Sequence, residues 1–291
     1  MQIVPTGLAL GAEVRGIDIR RPLSPEDAAT LRAAWHQHLV LFVRRQPMTV
    51  EQHMAFTRHF GELEFSGPNY FRKYYGGAKE DRAGAEMPPE ISVISNIVVD
   101  GKPIGSLGYG EAKWHTDSSI GEMPPAGGFL RAIEIPEDGS GATSFLNMEA
   151  AWETLAPELR QAVAGRRLQH PASNRITTRR RPGFEQDVAF KPLPVVDHPL
   201  VRTHPETGRP SLYLGQQPNT VIVGMDPAES KALIEALWAH TVQDRFVYRH
   251  DWQVGDLVIW DNRNTMHRRD AFPAASRRLL HKTQTAGTRP T

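Results

Sequence analysis

The chain carries a short pattern of metal-ligand residue types, His115-Thr116-Asp117, in a segment expected to be a strand. Residues two apart on a strand point to the same face, so this imidazole and this carboxylate could meet one ion. His267 lies far downstream, just beyond another strand-like run. Two histidines and one carboxylate are the triad that binds Fe(II) and leaves positions open for oxygen chemistry. The alternative interpretation is that these histidines are ordinary core residues.

Two further residues have the chemistry to hold the far end of a dicarboxylic co-substrate. Arg278 follows His267 in a segment expected to be a strand, and a guanidinium pairs with a carboxylate through two parallel hydrogen bonds. Thr143 follows His115 at a distance that allows its hydroxyl to add a donor. Ordinary core histidines would leave this accompanying pair unexplained, which favours the metal site.

The composition excludes several classes of protein. The 291 residues include no cysteine, which excludes disulfide scaffolds, zinc–thiolate sites, iron–sulfur clusters and cysteine nucleophiles. The net charge is +1, from 34 basic and 33 acidic residues, and this balance argues against a nucleic-acid partner. No apolar run is long enough to span a membrane, and the N-terminus lacks the pattern of a secretory signal. We therefore expect a cytoplasmic protein.

The elements that must position these residues are mostly strands. Helix starts are indicated by Ser24-Pro25, by the capping box from Thr49 to Gln52, and by Asp226-Pro227, and a shorter helical pair lies near 148–164. Strand-like runs of apolar and β-branched residues cover 40–43, 91–99, 129–135, 246–252, 257–260 and 279–285. Helices do not alternate regularly with strands, so the sequence predicts a mainly β sandwich or barrel with flanking helices, as one domain over 1–291.

Two segments, 66–90 and 171–194, are predicted to be long loops that act as lids. Gly76-Gly77, Pro88-Pro89 and Pro182-Gly183 interrupt regular structure in them. Long irregular segments in compact domains are often binding loops, and oxidation chemistry requires a closed site. The alternative is that both are surface loops or subunit contacts in an oligomer.

Several motifs in a fixed order together resemble the taurine dioxygenase-like (TauD/TfdA) family of Fe(II)/2-oxoglutarate-dependent dioxygenases. The resemblance covers nearly the whole chain. The motifs are Trp114-His115-Thr116-Asp117, Pro124-Pro125, Gly141-Ala142-Thr143-Ser144-Phe145, His198-Pro199-Leu200-Val201-Arg202-Thr203-His204-Pro205, Ile259-Trp260-Asp261-Asn262-Arg263 and Arg277-Arg278-Leu279-Leu280-His281-Lys282-Thr283.

This resemblance implies a double-stranded β-helix (jelly-roll) core with flanking α-helices. It implies that His115, Asp117 and His267 are the catalytic iron ligands. It also implies Fe(II), 2-oxoglutarate as co-substrate and O2. The remaining implied contacts are Thr143 and Arg278 on the 5-carboxylate of 2-oxoglutarate, with Trp260 walling the site.

One position departs from the family pattern and bears on the substrate. Members commonly carry a second arginine four residues after the co-substrate arginine, and this chain has Lys282 there. The resemblance implies that Lys282 also contacts the co-substrate. Lysine keeps the charge but loses the planar fork, which argues against taurine itself as the substrate.

The predicted function is oxidation, foremost hydroxylation, of a C–H bond in a small anionic metabolite, with formation of succinate and CO2. Two alternatives stay open: the same chemistry on a neutral or zwitterionic biosynthetic intermediate, including desaturation or cleavage, and a metal-binding jelly-roll without catalysis. We expect a small-molecule partner, no nucleic acid or membrane, and a homo-oligomer (dimer or tetramer). The candidate substrate contacts are Tyr75, Tyr109, Glu111, Asn219 and Arg179.

Overall fold

The computed structural model describes residues 1–76, 83–84, 86–170, 195–216 and 220–291. The predictions made for Arg179, for Asn219, for the lid segment 171–194 and for part of the segment 66–90 therefore lie outside the described residues. Within the described ranges, none of the helices is both long and apolar enough to cross a membrane.

Three of the helices begin at the caps Ser24, Thr49 and Asp226 that the sequence indicated. The Ser24 hydroxyl accepts from the backbone N–H of Asp27, and Thr49 and Gln52 form a reciprocal capping box. The helices are α1 (Pro25–His38), α2 (Val50–Thr57), α3 (Pro68–Tyr75), α4 (Met148–Glu153), α5 (Pro157–Val163) and α6 (Pro227–Thr241), with 3-10 turns at Arg58–Phe60 and Asp244–Phe246.

Helix α3 corrects the prediction of an irregular segment over 66–90. Its residues, Pro68–Tyr75, form two helical turns between Gly67 and Gly76. Gly76, one of the residues that indicated a loop, stands instead just past the last turn of this helix, and Pro68 stands in its first turn. Proline fits the first turn, where its missing N–H would have no partner in any case, and glycine is common just past the last turn.

Strands form most of the remaining regular structure in the described residues. Their bounds are β1 (Gln2–Pro5), β2 (Ala12–Arg15), β3 (Val40–Val43), β4 (Leu63–Glu64), β5 (Ser92–Ser95), β6 (Val98–Val99), β7 (Lys102–Pro103), β8 (Ala112–His115), β9 (Gly127–Glu134), β10 (Thr143–Asn147), β11 (Arg167–His170), β12 (Val196–Pro199), β13 (Val201–Thr203), β14 (Pro210–Leu212), β15 (Val221–Ile222), β16 (Val247–His250), β17 (Leu257–Asp261), β18 (Thr265–Arg269) and β19 (Leu279–Thr285).

Two sheets dominate the arrangement. The major sheet has the order β1-β2-β3-β17-β9-β19-β4, with β5 also paired to β19, and the minor sheet has the order β16-β10-β18-β8. Strand pairs in both sheets are antiparallel, apart from the parallel pair of β2 and β3. Neighbours in space are often distant in sequence, which is typical of jelly-roll topology.

The side chains of the major sheet alternate between two cores. Leu257 and Ile259 of β17 pack with residues of α1 and α2, whereas Val258 and Trp260 pack against Phe145 of the minor sheet. This period of two is the geometry of a strand buried on both faces. On the far side of the minor sheet, Leu146 and Met266 pack against residues of α4 and α6. The result is two facing sheets covered by helices on both outer sides, as expected for a mainly β jelly-roll with flanking helices.

Candidate active site

The two predicted histidine ligands meet on neighbouring strands of the minor sheet. His115 is the last residue of β8 and His267 lies in the middle of β18, and the pairing of these strands sets the two residues directly opposite each other. Their ring centroids are 4.1 Å apart. Antiparallel register thus brings together two side chains that are far apart in sequence.

Asp117 also lies beside the two histidines, but it is not on a strand as the sequence predicted. Strand β8 ends at His115, and Asp117 lies in the turn that follows, where Ser118 has a φ of +52°. The expectation that His115 and Asp117 share one face of a strand is therefore wrong. The turn nevertheless brings Asp117 Oδ1 to 3.7 Å from His115 Nε2, and Oδ2 to 3.8 Å from His267 Nε2.

This donor set fits a single divalent metal ion. One ligand atom from each of the three residues lies within 4.8 Å of the others. The Nδ1 of His115 is 2.7 Å from the carbonyl oxygen of Lys113, so Nδ1 carries the proton and Nε2 is free to coordinate. Burial, aided by the neighbouring His115, holds the pKa of His267 well below its ordinary value, and a neutral imidazole is what a metal requires.

Lys282 contacts the carboxylate of this group. It projects from β19 of the major sheet, on the face that also carries Leu280, and its Nζ donates to Asp117 Oδ2 at 2.6 Å. Burial opposes ionisation of Asp117, but the charge of Lys282, with smaller contributions from contact with the His267 and His115 rings, outweighs it and holds the pKa of Asp117 well below its usual range. The sequence implied that Lys282 contacts the co-substrate; the structure places it against the Asp117 side chain.

Arg278 is a buried guanidinium that has no acidic partner among the described residues. Its side chain is 2% exposed, and its hydrogen-bond acceptor is the carbonyl oxygen of Gly141 at 3.3 Å. Burial holds the pKa of Arg278 well below its ordinary value, with a smaller contribution from Arg269. A buried charge is costly unless it is paired, so this residue is suited to bind an anionic group of a ligand.

Thr143 and Trp260 complete the wall on this side. The hydroxyl oxygen of Thr143 accepts from the indole N–H of Trp252 at 3.0 Å, which leaves its own hydrogen available to donate. The Trp260 ring lies 4.9 Å from that of His267 and packs over Gly128, where a Cβ would come within 2.1 Å of it. Gly128 is therefore required for the Trp260 ring to lie where it does.

These residues open into a cavity of about 420 Å³. His115, Asp117, His267, Thr143, Trp260, Arg278 and Lys282 all line it. Its walls also carry apolar side chains, namely Phe71, Ile94, Leu107, Ile120 and Leu130. Three candidate substrate contacts, Tyr75, Tyr109 and Glu111, are not among the described residues that line the cavity.

Arg269 is a cavity residue that the sequence did not single out. It is 6% exposed, and its guanidinium donates to the carbonyl oxygens of Leu107 and Gly108, at 2.9 Å each, and to that of Gly110. Leu107 has a φ of +68°, an uncommon conformation for leucine. Through these hydrogen bonds Arg269 stabilises a loop whose residue Leu107 lines the cavity. Arg268 and Arg269 both follow His267, and this pattern offers no signal for the role, because the carbonyls that Arg269 contacts belong to a distant loop.

A second group of metal-ligand residue types consists of His36, His204 and Asp261. A guanidinium already occupies its centre, because Arg263 donates to both carboxylate oxygens of Asp261, at 2.7 and 2.8 Å. His204 Nε2 also lies 2.9 Å from Asp261. This buried network neutralises the carboxylate without an ion, so it is a structural cluster.

The family model described as "Taurine catabolism dioxygenase TauD, TfdA family" matches residues 2–284. The chain belongs to this family. Similar members include pentalenolactone F synthase of Streptomyces arenae, 31% identical over 97% of this chain and 94% of that protein. The alpha-ketoglutarate-dependent 2,4-dichlorophenoxyacetate dioxygenase of Cupriavidus pinatubonensis is 33% identical over 94% of this chain and 93% of that protein.

A solved structure, that of AAD-2 in complex with Mn(II) and N-oxalylglycine, shares the fold. It has a TM-score of 0.82 and 30% sequence identity, with 100% of this chain and 99% of that chain covered. Family membership makes this protein an oxidoreductase, a dioxygenase dependent on Fe(II), 2-oxoglutarate (alpha-ketoglutarate) and O2. It confirms the resemblance and the jelly-roll fold that the sequence predicted.

Proposed function

We propose that His115, Asp117 and His267 hold the iron, and that Arg278 and Thr143 bind the distal carboxylate of 2-oxoglutarate. The observation that carries this proposal is one cavity that holds both a compact set of three donor atoms and a buried guanidinium without an acidic partner in the described chain. Two imidazoles and one carboxylate suit Fe(II) and leave coordination positions for the co-substrate and O2.

The proposed reaction converts a substrate C–H bond to C–OH while 2-oxoglutarate becomes succinate and CO2. One oxygen atom of O2 enters the alcohol and the other enters succinate, and bound iron supplies the oxidising chemistry. The protein binds and orients the reactants. Arg278 fixes the far end of the co-substrate, Thr143 donates a hydrogen bond to it, and the apolar wall, with Phe71 and Leu130, excludes water.

The proposed substrate is a small anion with an apolar body. The described cavity walls offer an apolar surface, and three cationic residues against one carboxylate line it. The similar dioxygenase of Cupriavidus pinatubonensis acts, by its name, on 2,4-dichlorophenoxyacetate, a carboxylate on an aromatic body. A second candidate is a neutral or zwitterionic biosynthetic intermediate that is oxidised, desaturated or cleaved. By its name, the similar pentalenolactone F synthase is a biosynthetic enzyme, which supports a biosynthetic intermediate as the substrate and does not bear on its charge.

The metal and co-substrate assignment is tested by anaerobic titration of the metal-free enzyme with Fe(II) and 2-oxoglutarate. We expect the weak visible charge-transfer band of the iron chelate in the wild type and its loss in Asp117→Ala, together with loss of turnover. Arg277→Ala is a matched control, because Arg277 is paired with Glu134 on the surface. An Asp117→Ala enzyme with the full band and full activity would exclude Asp117 as a ligand.

The substrate assignment is tested by a panel of matched pairs. Each apolar body, such as an aryloxy or alkyl group, is supplied as the carboxylate or sulfate ester and as the neutral methyl ester or alcohol. We expect the anions to increase succinate formation above the uncoupled background and the neutral partners to fail. Consistent coupling to neutral compounds, and to none of the anions, would replace this substrate class with the second candidate.

A further inference from the structure

Asp117 is the one proposed iron ligand that no strand pairing holds in place. His115 and His267 are fixed by the register of β8 and β18, whereas Asp117 lies in a turn beyond the end of β8. The next residue, Ser118, has a φ of +52°. A turn with such a backbone needs contacts from elsewhere to hold one conformation.

The side chain of Asn262 supplies these contacts by binding the main chain of Asp117. Its Oδ1 accepts from the backbone N–H of Asp117 at 2.9 Å, and its Nδ2 donates to the carbonyl oxygen of the same residue at 3.1 Å. The second Nδ2 hydrogen goes to the carbonyl oxygen of Pro125 at 2.9 Å. Asn262 is 1% exposed, and both of its side-chain donors are used.

The place of Asn262 in the chain connects two of the proposed ligands. It lies in the turn between β17 and β18, and β18 carries His267. Its own backbone N–H donates to Ala126 at 2.9 Å, which fixes the turn against the start of β9. The side chain therefore connects the turn that carries Asp117 to the turn that leads into β18, the strand that carries His267.

We propose that Asn262 is a positioning residue for the metal site, which sets the main chain of Asp117 so that its carboxylate faces the two imidazoles. This inference rests on the proposed function, because it takes Asp117 as an iron ligand. Only an amide with this reach can accept from one N–H and donate to two carbonyls at once. Aspartate would lose both donors and would add a buried charge beside Asp117.

The chain offers a matched control two residues away. Asn264 lies in the same turn and is 0% exposed. Its amide contacts Glu149 and accepts from Ser211 at 2.9 Å, without contact to Asp117. Loss of either side chain removes buried hydrogen bonds from one turn, so a purely structural role predicts the same outcome for both.

The test measures binding of Mn(II) alone, by electron paramagnetic resonance of the free ion, to metal-free full-length protein. We expect Asn262→Ala to weaken Mn(II) binding by about 10- to 100-fold, the usual effect of losing an outer contact of a metal ligand. Asn264→Ala should stay within about twofold of the wild type, although both variants lower the melting temperature. If Asn262→Ala does not yield folded protein, Asn262→Ser, which keeps one hydroxyl acceptor, is measured against Asn264→Ser in the same way.

Asp117→Ala separates failure of this inference from failure of the proposed function. If Asp117→Ala weakens Mn(II) binding while the Asn262 and Asn264 variants match each other, Asn262 is an ordinary structural residue and the inference is wrong. If Asp117→Ala binds Mn(II) as the wild type does, the ligand assignment itself fails, and the role of Asn262 fails with it.

Discussion

At the scale of single residues, cationic side chains outnumber acidic ones on the described walls of the cavity. Arg269, Arg278 and Lys282 line the described walls, and Asp117 is the acidic side chain among them. Lys282 is paired with Asp117, and Arg269 donates to three backbone carbonyls. Arg278 donates to one carbonyl, at 3.3 Å, and has no acidic partner among the described residues. Because a buried unpaired guanidinium is unfavourable, binding of an anion at Arg278 would relieve a cost already present in the fold.

Replacement of Arg278 by alanine should mainly raise the apparent KM for 2-oxoglutarate. Loss of one partner of a buried charge-assisted contact costs on the order of 2–4 kcal/mol, which corresponds to roughly 30-fold or more in KM. Steady-state kinetics with 2-oxoglutarate as the varied reactant would measure this. Arg277→Ala is the control, because Arg277 is exposed and bonded to Glu134 at 2.8 Å. A raised KM for Arg277→Ala, with no change for Arg278→Ala, would move the anchor to Arg277.

Residue types and spacing identified the proposed ligands, but not the structure that holds them. His115, Asp117 and His267 were chosen because imidazole and carboxylate are ligands for iron, and this chemistry does not depend on the exact backbone. The Asp117 turn contacts Asn262, which is 145 residues away along the chain. Contacts of this kind form only when two distant turns meet, and no local sequence pattern indicates them.

At the scale of elements, helix α3 occupies the first part of the segment 66–90, which the sequence predicted to be a long loop. Tyr70 of this helix donates to the carbonyl oxygen of Met123 at 2.9 Å, and Tyr74 contacts Glu64 through its hydroxyl. These contacts fix the helix against the body of the domain, while Phe71 faces the cavity. The first part of the predicted lid is therefore a helix that forms part of the cavity wall. Phe71 is the aromatic side chain of this helix that lines the cavity.

Phe71→Ala should raise the KM for the primary substrate while leaving binding of metal and 2-oxoglutarate unchanged. Removal of a large apolar side chain from the wall loses contact with the apolar part of the substrate, at a cost of about 1–3 kcal/mol. The measurement uses the compound that couples best in the substrate panel. Tyr75→Ala, from the same helix, is the comparison, because Tyr75 bonds the N–H of Glu122 and does not line the described cavity. An effect in Tyr75→Ala alone would support the sequence prediction for Tyr75 over the placement of Phe71.

Element prediction succeeded where the signals were local. The caps at Ser24, Thr49 and Asp226 gave the helix starts, because a cap is a contact between residues two or three apart. The strand over 279–285 was also predicted from its residues and is observed as Leu279–Thr285. The order of strands within the sheets was not predictable from such signals, since it is set by packing between distant segments, and the family resemblance implied only the jelly-roll fold.

At the scale of the whole molecule, the fold keeps several histidines neutral in its interior. Burial lowers the pKa of His170 to about 3, of His198 to about 4 and of His281 to about 4. They lie in different places: His198 bonds the carbonyls of Ser119 and Gly121 beneath the Asp117 turn, and His281 contacts Arg131 in the major sheet. In the unfolded chain each would titrate near its ordinary pKa of about 6.5.

The free energy of unfolding should therefore fall as the pH falls from about 6.5 towards 4. In this window the histidine is protonated in the unfolded chain and neutral in the native state. Each such histidine therefore changes the free energy of unfolding by about 1.4 kcal/mol per pH unit, with greater stability at the higher pH. Urea unfolding of wild type and His281→Gln, with a chelator present, would measure it. At pH 8, His281 is neutral in both the folded and the unfolded state. The difference in unfolding free energy between the two proteins at this pH therefore measures the packing contribution that the substitution removes. That difference should shrink as the pH falls from 6.5 to 4, because the variant no longer carries this linked proton. Stability curves that stay parallel across the window would show that His281 titrates alike in the folded and unfolded chain.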